Sequence, residues 1–213
     1  MISEPQTGMV DLWPTKVLRR RLENFEEPNR QLLKLIREME KEHKHLSANY
    51  REYNLLNIDE PGPNWLRAAV NDTVVQYLKA IEIDYSVDWQ MHAWANIHRN
   101  GDYHDLHNHP HCYLSGTYYV KMPAVSDVAG RPDLRPNRIT LYDPRPGINM
   151  NSIRNDPYMD PEYTILPEPG LIMLWPSFLN HFVHPNLSNE TRISISFNII
   201  LKWNTEEYLP IQQ

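Results

Sequence analysis

The sequence predicts a mainly β domain, folded as a sandwich or barrel, with two α-helices at its N-terminal end. Apolar residues recur every three or four positions in two early segments, which is the period of amphipathic helices. From about residue 86 onward, short β-prone runs are separated by Pro, Gly, Asn and Asp, and no helical segments alternate with them. The 213 residues contain no obvious linker. We therefore expect a single domain, with a helical part over 1–85, a β core over 86–203 and a short tail over 204–213.

The helical part contains two predicted helices. The first extends from about Asn29 to Tyr50, where Leu32, Ile36, Met39, His43 and Leu46 follow each other at the three- and four-residue spacing of an amphipathic helix. The second follows the turn-rich segment DEPGPN and extends from Trp65 to Ile83, with its stripe at Leu66, Val70, Val74, Leu78 and Ile81. The only basic run, Arg19–Arg21, is interpreted as the solvated edge of a helix.

Six β-prone runs follow in order. They are VDWQMHAWANIH, YLSGTYYVKM, RITLYD, YTILPE, GLIMLWP and RISISFNIILKW. The longest connections lie within 124–162 and are rich in Pro, Arg, Asn and Asp. Such segments either form the entrance or the lid of a functional site or are plain surface loops, and the sequence leaves both interpretations open.

Composition narrows the function classes. The formal net charge is −6, so we expect no nucleic-acid partner, because sequence-independent binding to phosphates needs a basic surface. Cys112 is the only cysteine, which excludes an intramolecular disulfide and favours a reducing compartment. No apolar run approaches the roughly 20 residues that span a bilayer, and the N-terminus lacks the pattern of a signal peptide. We expect no membrane partner and a cytoplasmic location.

Histidines are concentrated in the segment HNHPH, residues 107–111. His107 and His109 are two residues apart, so at the end of a strand both side chains would leave the same face and could bind one ion. His111 has the same parity but follows Pro110, which breaks the strand. The pair alone is equally compatible with a solvent-exposed turn.

The last β run has an unusual polar face. Ile193, Ile195, Phe197 and Ile199 alternate with Arg192, Ser194, Ser196 and Asn198, so one face is apolar and the other polar. If the polar face looks into a barrel, Arg192 and Ser194 need an anionic partner, because an uncompensated buried cation is costly.

At this point the sequence resembles the 2-oxoglutarate/Fe(II)-dependent oxygenase superfamily, and within it a group of oxygenases from bacteria and phages. The matching elements are Trp94–Asn96, Gly101, His107–Pro110, Leu114–Val120 and Pro176–Phe197. The C-terminal element is also similar to that of prolyl hydroxylases, and the likeness covers about residues 88–203. The resemblance implies a double-stranded β-helix, the cupin-like jelly roll, with the two helices packed on one sheet.

The resemblance also implies a chemistry and a site. Fe(II) would be held by His107, His109 and His181, and 2-oxoglutarate and O2 would fill the open positions. Arg192 and Ser194, eleven and thirteen residues after His181, would bind the far carboxylate of 2-oxoglutarate together with Tyr119. Asn96 is a candidate contact for the co-substrate. The implied reaction hydroxylates a C–H group of an unidentified substrate and releases succinate and CO2.

One position departs from the family pattern. The second metal ligand is usually a carboxylate, but the spacing here gives His109, while Asp102 and Asp105 lack the His-x-Asp spacing. Two other functions therefore stay open: a three-histidine dioxygenase that does not use 2-oxoglutarate, and a non-catalytic jelly roll that binds a metal. We expect His184 to be a supporting or surface group and His98 a structural histidine with satisfied hydrogen bonds. An exposed sheet edge could also pair two chains into a homodimer.

Overall fold

The computed structural model describes residues 13–43, 46–47, 51–124, 128–145 and 160–202. The elements are β1 (Leu18–Arg21), α1 (Glu26–Glu42), a 3₁₀ turn (Leu55–Asn57), α2 (Pro61–Ala80), β2 (Trp89–His98), β3 (His104–His107), β4 (Leu114–Lys121), β5 (Ile139–Tyr142), β6 (Glu162–Ile165), β7 (Leu171–Pro176), β8 (His181–Val183) and β9 (Arg192–Leu201). The predicted tail 204–213 and much of the connection 124–162 lie outside the described residues. Neither described α-helix is both long and apolar enough to cross a membrane.

Two antiparallel sheets form the β core. The large sheet has the strand order β1-β7-β4-β9-β2, and the small sheet has the order β3-β8-β5-β6. Neighbouring strands are often far apart in sequence, as in the pairing of β2 with β9 over ten residue pairs. The observed fold is therefore mainly β with two helices, as predicted.

The large sheet separates two hydrophobic cores. One face packs against both helices, where Leu32 and Ile36 of α1 and Leu66 and Val70 of α2 meet the apolar residues of β2, β4 and β9. The other face contributes Tyr119, Met173 and Trp175 to a smaller core shared with the small sheet. The predicted alternation in β9 is confirmed, because Ile193, Ile195, Phe197 and Ile199 all belong to the helix-side core.

Both helices were predicted, but their ends differ. α1 begins three residues early and ends at Glu42. α2 begins at Pro61, inside the segment that we interpreted as a turn. Proline is well tolerated in the first turn of a helix, because its missing N–H would have no intrahelical acceptor there. The last four residues of the DEPGPN segment thus form the start of the helix rather than preceding it.

The interpretation of Arg19–Arg21 as a helix edge is wrong. These residues lie in β1, which pairs with β7 at the edge of the large sheet. The Arg20 side chain points towards α2, where it donates to Thr73 Oγ1 (3.0 Å) and pairs with the Asp72 carboxylate (2.7 Å). A run of three arginines has no apolar alternation that would predict a strand, and the pairing with β7 comes from residues far away in the sequence.

The outer edge of β2 is covered by the side chains of Ser47, Tyr53 and Asn54. The amides of Ala93, Ala95 and Ile97 donate to Asn54 Oδ1, Tyr53 Oη and Ser47 Oγ respectively, each at 3.0 Å. Because backbone groups on this edge are taken by side chains, it is protected against pairing with another strand. The homodimer stays a prediction, and this edge is a poor place for it.

Gly116 in β4 is required by close packing between strands. A Cβ atom at this position would overlap both the Met173 carbonyl oxygen of β7 and the Phe197 ring of β9. The glycine of the LSGTYYV segment therefore lets the neighbouring strand and the aromatic core approach the backbone.

Candidate metal centre

Three histidines converge at one end of the small sheet. His107 ends β3 and His181 begins β8, and the pairing of these strands places the two residues opposite each other. His109 follows two residues later, where its amide donates to the Ser177 carbonyl (3.0 Å). One ligand atom from each of the three side chains lies within 4.8 Å of the other two. The structure thus brings together the three side chains that the sequence singled out, in an arrangement that could hold one metal ion.

Backbone carbonyls orient two of these imidazoles. His107 Nδ1 lies 2.6 Å from the Asp105 carbonyl oxygen, and His181 Nδ1 lies 3.1 Å from that of Leu179. With Nδ1 protonated and donating, the lone pair on Nε2 is free for a metal, which is the usual outer support of a metal-binding histidine. Burial lowers the pKa of His181 to about 3 and that of His109 to about 4, with further lowering by His107. Both rings are therefore neutral at physiological pH, the form that binds metals.

Neither nearby carboxylate joins this cluster. The Asp105 carboxylate accepts from the Leu106 amide (2.7 Å), and that of Asp102 accepts from the Arg99 amide (2.7 Å). His111 is exposed at the far side of Pro110, with a positive φ of 70°. The His184 ring instead contacts Thr140 Oγ1 (2.8 Å). Among the described residues, the cluster therefore consists of histidines alone.

The large sheet contributes successive rows of polar side chains below the cluster. The strand registers place Asn96 of β2, Ser194 of β9 and Tyr119 of β4 side by side. The next row contains Trp94, Ser196 and Thr117, and the row after it contains His92, Asn198 and Ser115. Neighbouring rows are linked, because Asn96 Nδ2 donates to Ser196 Oγ (2.9 Å).

Arg192 lies two residues before Ser194 and therefore on the same face of β9. The side chain is only 1% exposed. Its Nη1 donates to the His184 carbonyl oxygen (2.9 Å), whereas Nε and Nη2 are buried without a hydrogen-bond partner. Burial lowers the pKa of Arg192 to about 10, an effect that Tyr119 and Asp102 oppose. At neutral pH the guanidinium is thus a buried cation with two free donor groups, which is costly without an anionic partner.

One cavity of about 750 Å³ connects the two halves of this site. Its walls include all three clustered histidines and the row of Asn96, Ser194 and Tyr119. Two tryptophans line the metal end: the Trp175 ring centroid is 5.1 Å from that of His181, and the Trp94 centroid is 6.0 Å from that of His109. The volume lies within the range of small-molecule sites.

His98 is the residue that sequence reasoning missed. We expected a structural histidine with satisfied hydrogen bonds, but both ring nitrogens are buried without a partner. The side chain lines the cavity and faces Arg192 across the β2–β9 pair. Its parity with Trp94 and Asn96 in the sequence was the available signal, because alternate residues of a strand share a face.

The fold and the site together define a two-sheet β protein with a three-histidine cluster that could hold a metal ion and with a buried arginine on its large sheet. A family model described as "Putative 2OG-Fe(II) oxygenase" matches residues 92–198, half of the chain. The chain belongs to this 2OG-Fe(II) oxygenase family. The matched segment begins on β2 and ends on β9, so it contains the histidine cluster, Arg192 and Ser194. A search of curated proteins gave no significant match.

Solved structures agree on the fold. A prolyl-4-hydroxylase from Pseudomonas putida has a TM-score of 0.56 at 13% identity, with 88% of each chain covered. A prolyl hydroxylase from Trichoplax adhaerens, solved with a peptide fragment of hypoxia inducible factor, has a TM-score of 0.54 at 13% identity. That alignment covers 86% of this chain and 83% of the other. These likenesses confirm the double-stranded β-helix with two helices on one sheet.

Family membership brings two cofactors with it. A 2OG-Fe(II) oxygenase uses Fe(II) and 2-oxoglutarate, and the three-histidine cluster could hold the metal. The donor chemistry fits, since neutral imidazoles bind Fe(II) and three protein ligands leave positions open for other groups. The buried Arg192 cation lies on the same face of β9 as Ser194, which lines the cavity, and it has the charge that a dicarboxylate co-substrate needs.

Proposed function

We propose that this protein is an Fe(II)- and 2-oxoglutarate-dependent oxygenase that hydroxylates a C–H group of a primary substrate, with release of succinate and CO2. His107, His109 and His181 would hold the metal. Arg192, Ser194 and Tyr119 would bind the far carboxylate of 2-oxoglutarate, with Asn96 as a further contact. The observation that carries this proposal is the buried Arg192 guanidinium, which has two unpartnered donor groups. It lies on the same face of β9 as Ser194, and Ser194 lines the cavity that contains the three histidines.

The guanidinium supports a carboxylate ligand specifically. Nε and one Nη nitrogen form a planar fork that matches the two oxygens of a carboxylate, whereas a lysine would offer a single point charge. Nη1 is already fixed by the His184 carbonyl. The fork is therefore held in place before any ligand arrives, which reduces the ordering cost of binding.

The neighbouring row adds uncharged donors. Tyr119 is 3% exposed, and burial raises the pKa of its hydroxyl, which therefore stays protonated and able to donate. Ser194 is next to it in the register and lines the same cavity. The Asn96 amide can present its NH2 group to a ligand if it turns over, since the Ser196 hydroxyl can also donate to Oδ1.

At the histidine cluster, the chain orients the imidazoles and shields them from water. The carbonyls of Asp105 and Leu179 fix two imidazoles, and the Trp94 and Trp175 rings cover the sides of the cluster. Fe(II), when bound together with 2-oxoglutarate, supplies the oxygen activation of the family. Buried aromatic walls limit water there, which protects reactive chemistry from side reactions.

Two other functions account less well for the same residues. A three-histidine dioxygenase that uses no 2-oxoglutarate would leave Arg192 as an uncompensated buried cation. A structural metal is normally closed by four protein ligands. Among the described His, Cys, Asp and Glu side chains, only three share this cluster.

The decisive experiment is anaerobic titration of the metal-free protein with Fe(II) and then 2-oxoglutarate. We expect a visible charge-transfer absorption that needs both additions, followed on admission of O2 by formation of succinate. Iron binding is measured separately by equilibrium dialysis. An iron-loaded protein that gives neither the absorption nor succinate would refute the proposal.

Variants divide the site into its two halves. His181→Ala should lose iron binding, whereas Arg192→Lys should keep iron and weaken 2-oxoglutarate. His109→Asp, which restores the usual carboxylate, should still bind Fe(II). If His109→Ala binds iron as tightly as the wild type, His109 is not a ligand.

A further inference from the structure

We propose that His98 closes the far end of the co-substrate cavity and sets the length of the 2-oxo dicarboxylate that the protein accepts. This inference rests on the proposed function. It adds a residue that selects among co-substrates to the residues that bind them.

The position of His98 is the first argument. His98 ends β2 directly opposite Arg192, the first residue of β9. It is 4% exposed, lines the cavity, and has no hydrogen-bond partner at Nδ1 or Nε2. A buried imidazole with two unsatisfied nitrogens is costly unless a ligand completes it.

A second cavity lies behind this wall. It has a volume of about 500 Å³ and is lined by Glu40, Leu46, Ile97, Arg99 and Asp102, among others. The two cavities share four wall residues, which are Ser47, His98, Tyr103 and His104. The rings of His98 and His104 are in edge contact, with centroids 4.5 Å apart. The paired imidazoles therefore form part of the partition between two spaces.

The charge state of His98 suits a donor at the end of a carboxylate site. Burial, followed by the charges of Arg192 and His104, lowers the pKa of His98 to about 2. The ring is thus neutral and offers one N–H to a carboxylate oxygen, while Arg192 supplies the charge. A five-carbon diacid would end at this N–H, and a six-carbon diacid would have to displace the ring.

Removal of the ring should join the two cavities. His98→Ala would delete both the N–H donor and the wall, leaving room for one more methylene group. 2-Oxoglutarate should bind about tenfold more weakly, the size of one lost hydrogen bond to a charged group. 2-Oxoadipate, one methylene longer, should lose little or gain.

The test is anaerobic titration of the iron-loaded protein with 2-oxoglutarate and with 2-oxoadipate, following the visible absorption. In His98→Ala the ratio of the two dissociation constants should shift by tenfold or more towards 2-oxoadipate. His98→Gln keeps a donor and most of the volume, and should retain the wild-type ratio within about threefold. His92→Ala is the matched control, because His92 lies on the same strand but lines neither cavity. Its ratio should not change.

The outcomes separate this inference from the proposed function. No absorption with 2-oxoglutarate in the wild type would refute the proposed function. Wild-type absorption together with an unchanged ratio in His98→Ala would overturn only the role of His98. If His98→Ala fails to fold, judged by its thermal unfolding, His98→Asn shortens the same side chain and should shift the ratio in the same direction. An unchanged ratio in folded His98→Asn would then overturn the inference.

Discussion

The two faces of the large sheet are built from the same strands but differ in how completely their groups are satisfied. On the helix side, Ile193, Ile195 and Phe197 are at most 3% exposed and pack against apolar neighbours. On the cavity side, alternate residues of the same strands are polar. Of seven buried side-chain atoms without a hydrogen-bond partner among the described residues, six belong to Asn96, His98, Trp175 and Arg192.

This difference separates stability from ligand binding along a single strand. The helix-side residues lower the free energy of the folded state by burying apolar area. The unpartnered polar atoms on the cavity side raise it, because they are buried from water without a hydrogen-bond partner. A region that destabilises the ligand-free protein in this way is suited to a ligand that completes its hydrogen bonds.

The largest expected effect follows from removal of the buried cation. Arg192→Met should weaken 2-oxoglutarate binding by about a thousandfold, because a desolvated carboxylate would lose its charged partner. The ligand-free variant should be as stable as the wild type or more stable, since an apolar side chain of similar length replaces an uncompensated charge. Titration of the visible absorption and urea unfolding of the metal-free protein measure the two effects.

If Arg192→Met lost both stability and affinity for 2-oxoglutarate, Arg192 would contribute to folding as well as to ligand binding, which would contradict the prediction. Arg192→Lys is the companion variant, since it keeps the charge and removes the planar fork. It should fall between wild type and Arg192→Met in affinity.

The helix-side counterpart is Ile195→Ala. Ile195 is fully buried between Ala95 of β2 and Tyr118 of β4. The substitution should lower the free energy of unfolding by about 3 kcal/mol through lost burial and a residual cavity. Urea unfolding measures this change, and the folded variant should bind 2-oxoglutarate with unchanged affinity. An affinity loss comparable to that of Arg192→Met would show that the two faces are not independent.

Acid should lower the stability of the folded protein through His98 on the cavity side. The pKa of His98 is lowered to about 2 in the folded protein, against an ordinary value near 6.5 in the unfolded chain. Below pH 6.5 the unfolded state binds the additional proton, so the stability due to neutral His98 is present above that pH and is lost as the pH falls. The loss at pH 5 should be about 2 kcal/mol relative to pH 8. The free energy of unfolding of the metal-free protein should therefore fall by about 2 kcal/mol less between pH 8 and pH 5 in His98→Asn than in the wild type. The same pH dependence in both proteins would contradict the lowered pKa of His98.

The smallest effect concerns a polar contact inside the helix-side core. Tyr118 Oη donates to Asn29 Oδ1 (2.6 Å), and Asn29 Nδ2 donates to the Val120 carbonyl (2.9 Å). Tyr118→Phe should cost about 1 kcal/mol of stability, because the Asn29 acceptor is left buried and unpaired. The adjacent Tyr119→Phe, on the other face, should change co-substrate affinity instead. Reversal of these two results would mean that the strand faces were assigned wrongly.

The sequence predicted the parts of the molecule that depend on local pattern. The alternation of β9 separated Ile193 from Arg192 correctly, and the spacing of His107 and His109 predicted that both could converge, as they do beside His181. β1 escaped prediction because its stability comes from pairing with β7 and from Arg20 contacts with α2. The absence of hydrogen-bond partners for the two ring nitrogens of His98 was not predicted either, because no local sequence pattern shows whether a buried ring finds a partner. Whether the histidine cluster and Arg192 perform the proposed roles stays a prediction.

The covered edge of β2 has a consequence for amide hydrogen exchange. Edge strands usually exchange quickly on the side that faces solvent, but the amides of Ala93, Ala95 and Ile97 donate to side chains of the preceding segment. Their protection should therefore depend on Asn54, Tyr53 and Ser47, and Asn54→Ala should accelerate exchange at Ala93 more than at Ile97. Ser47, which accepts the hydrogen bond of the Ile97 amide, also lines the cavity. The exchange rate of the Ile97 amide should therefore change when a ligand occupies the cavity, although this amide lies on the outer edge of the sheet.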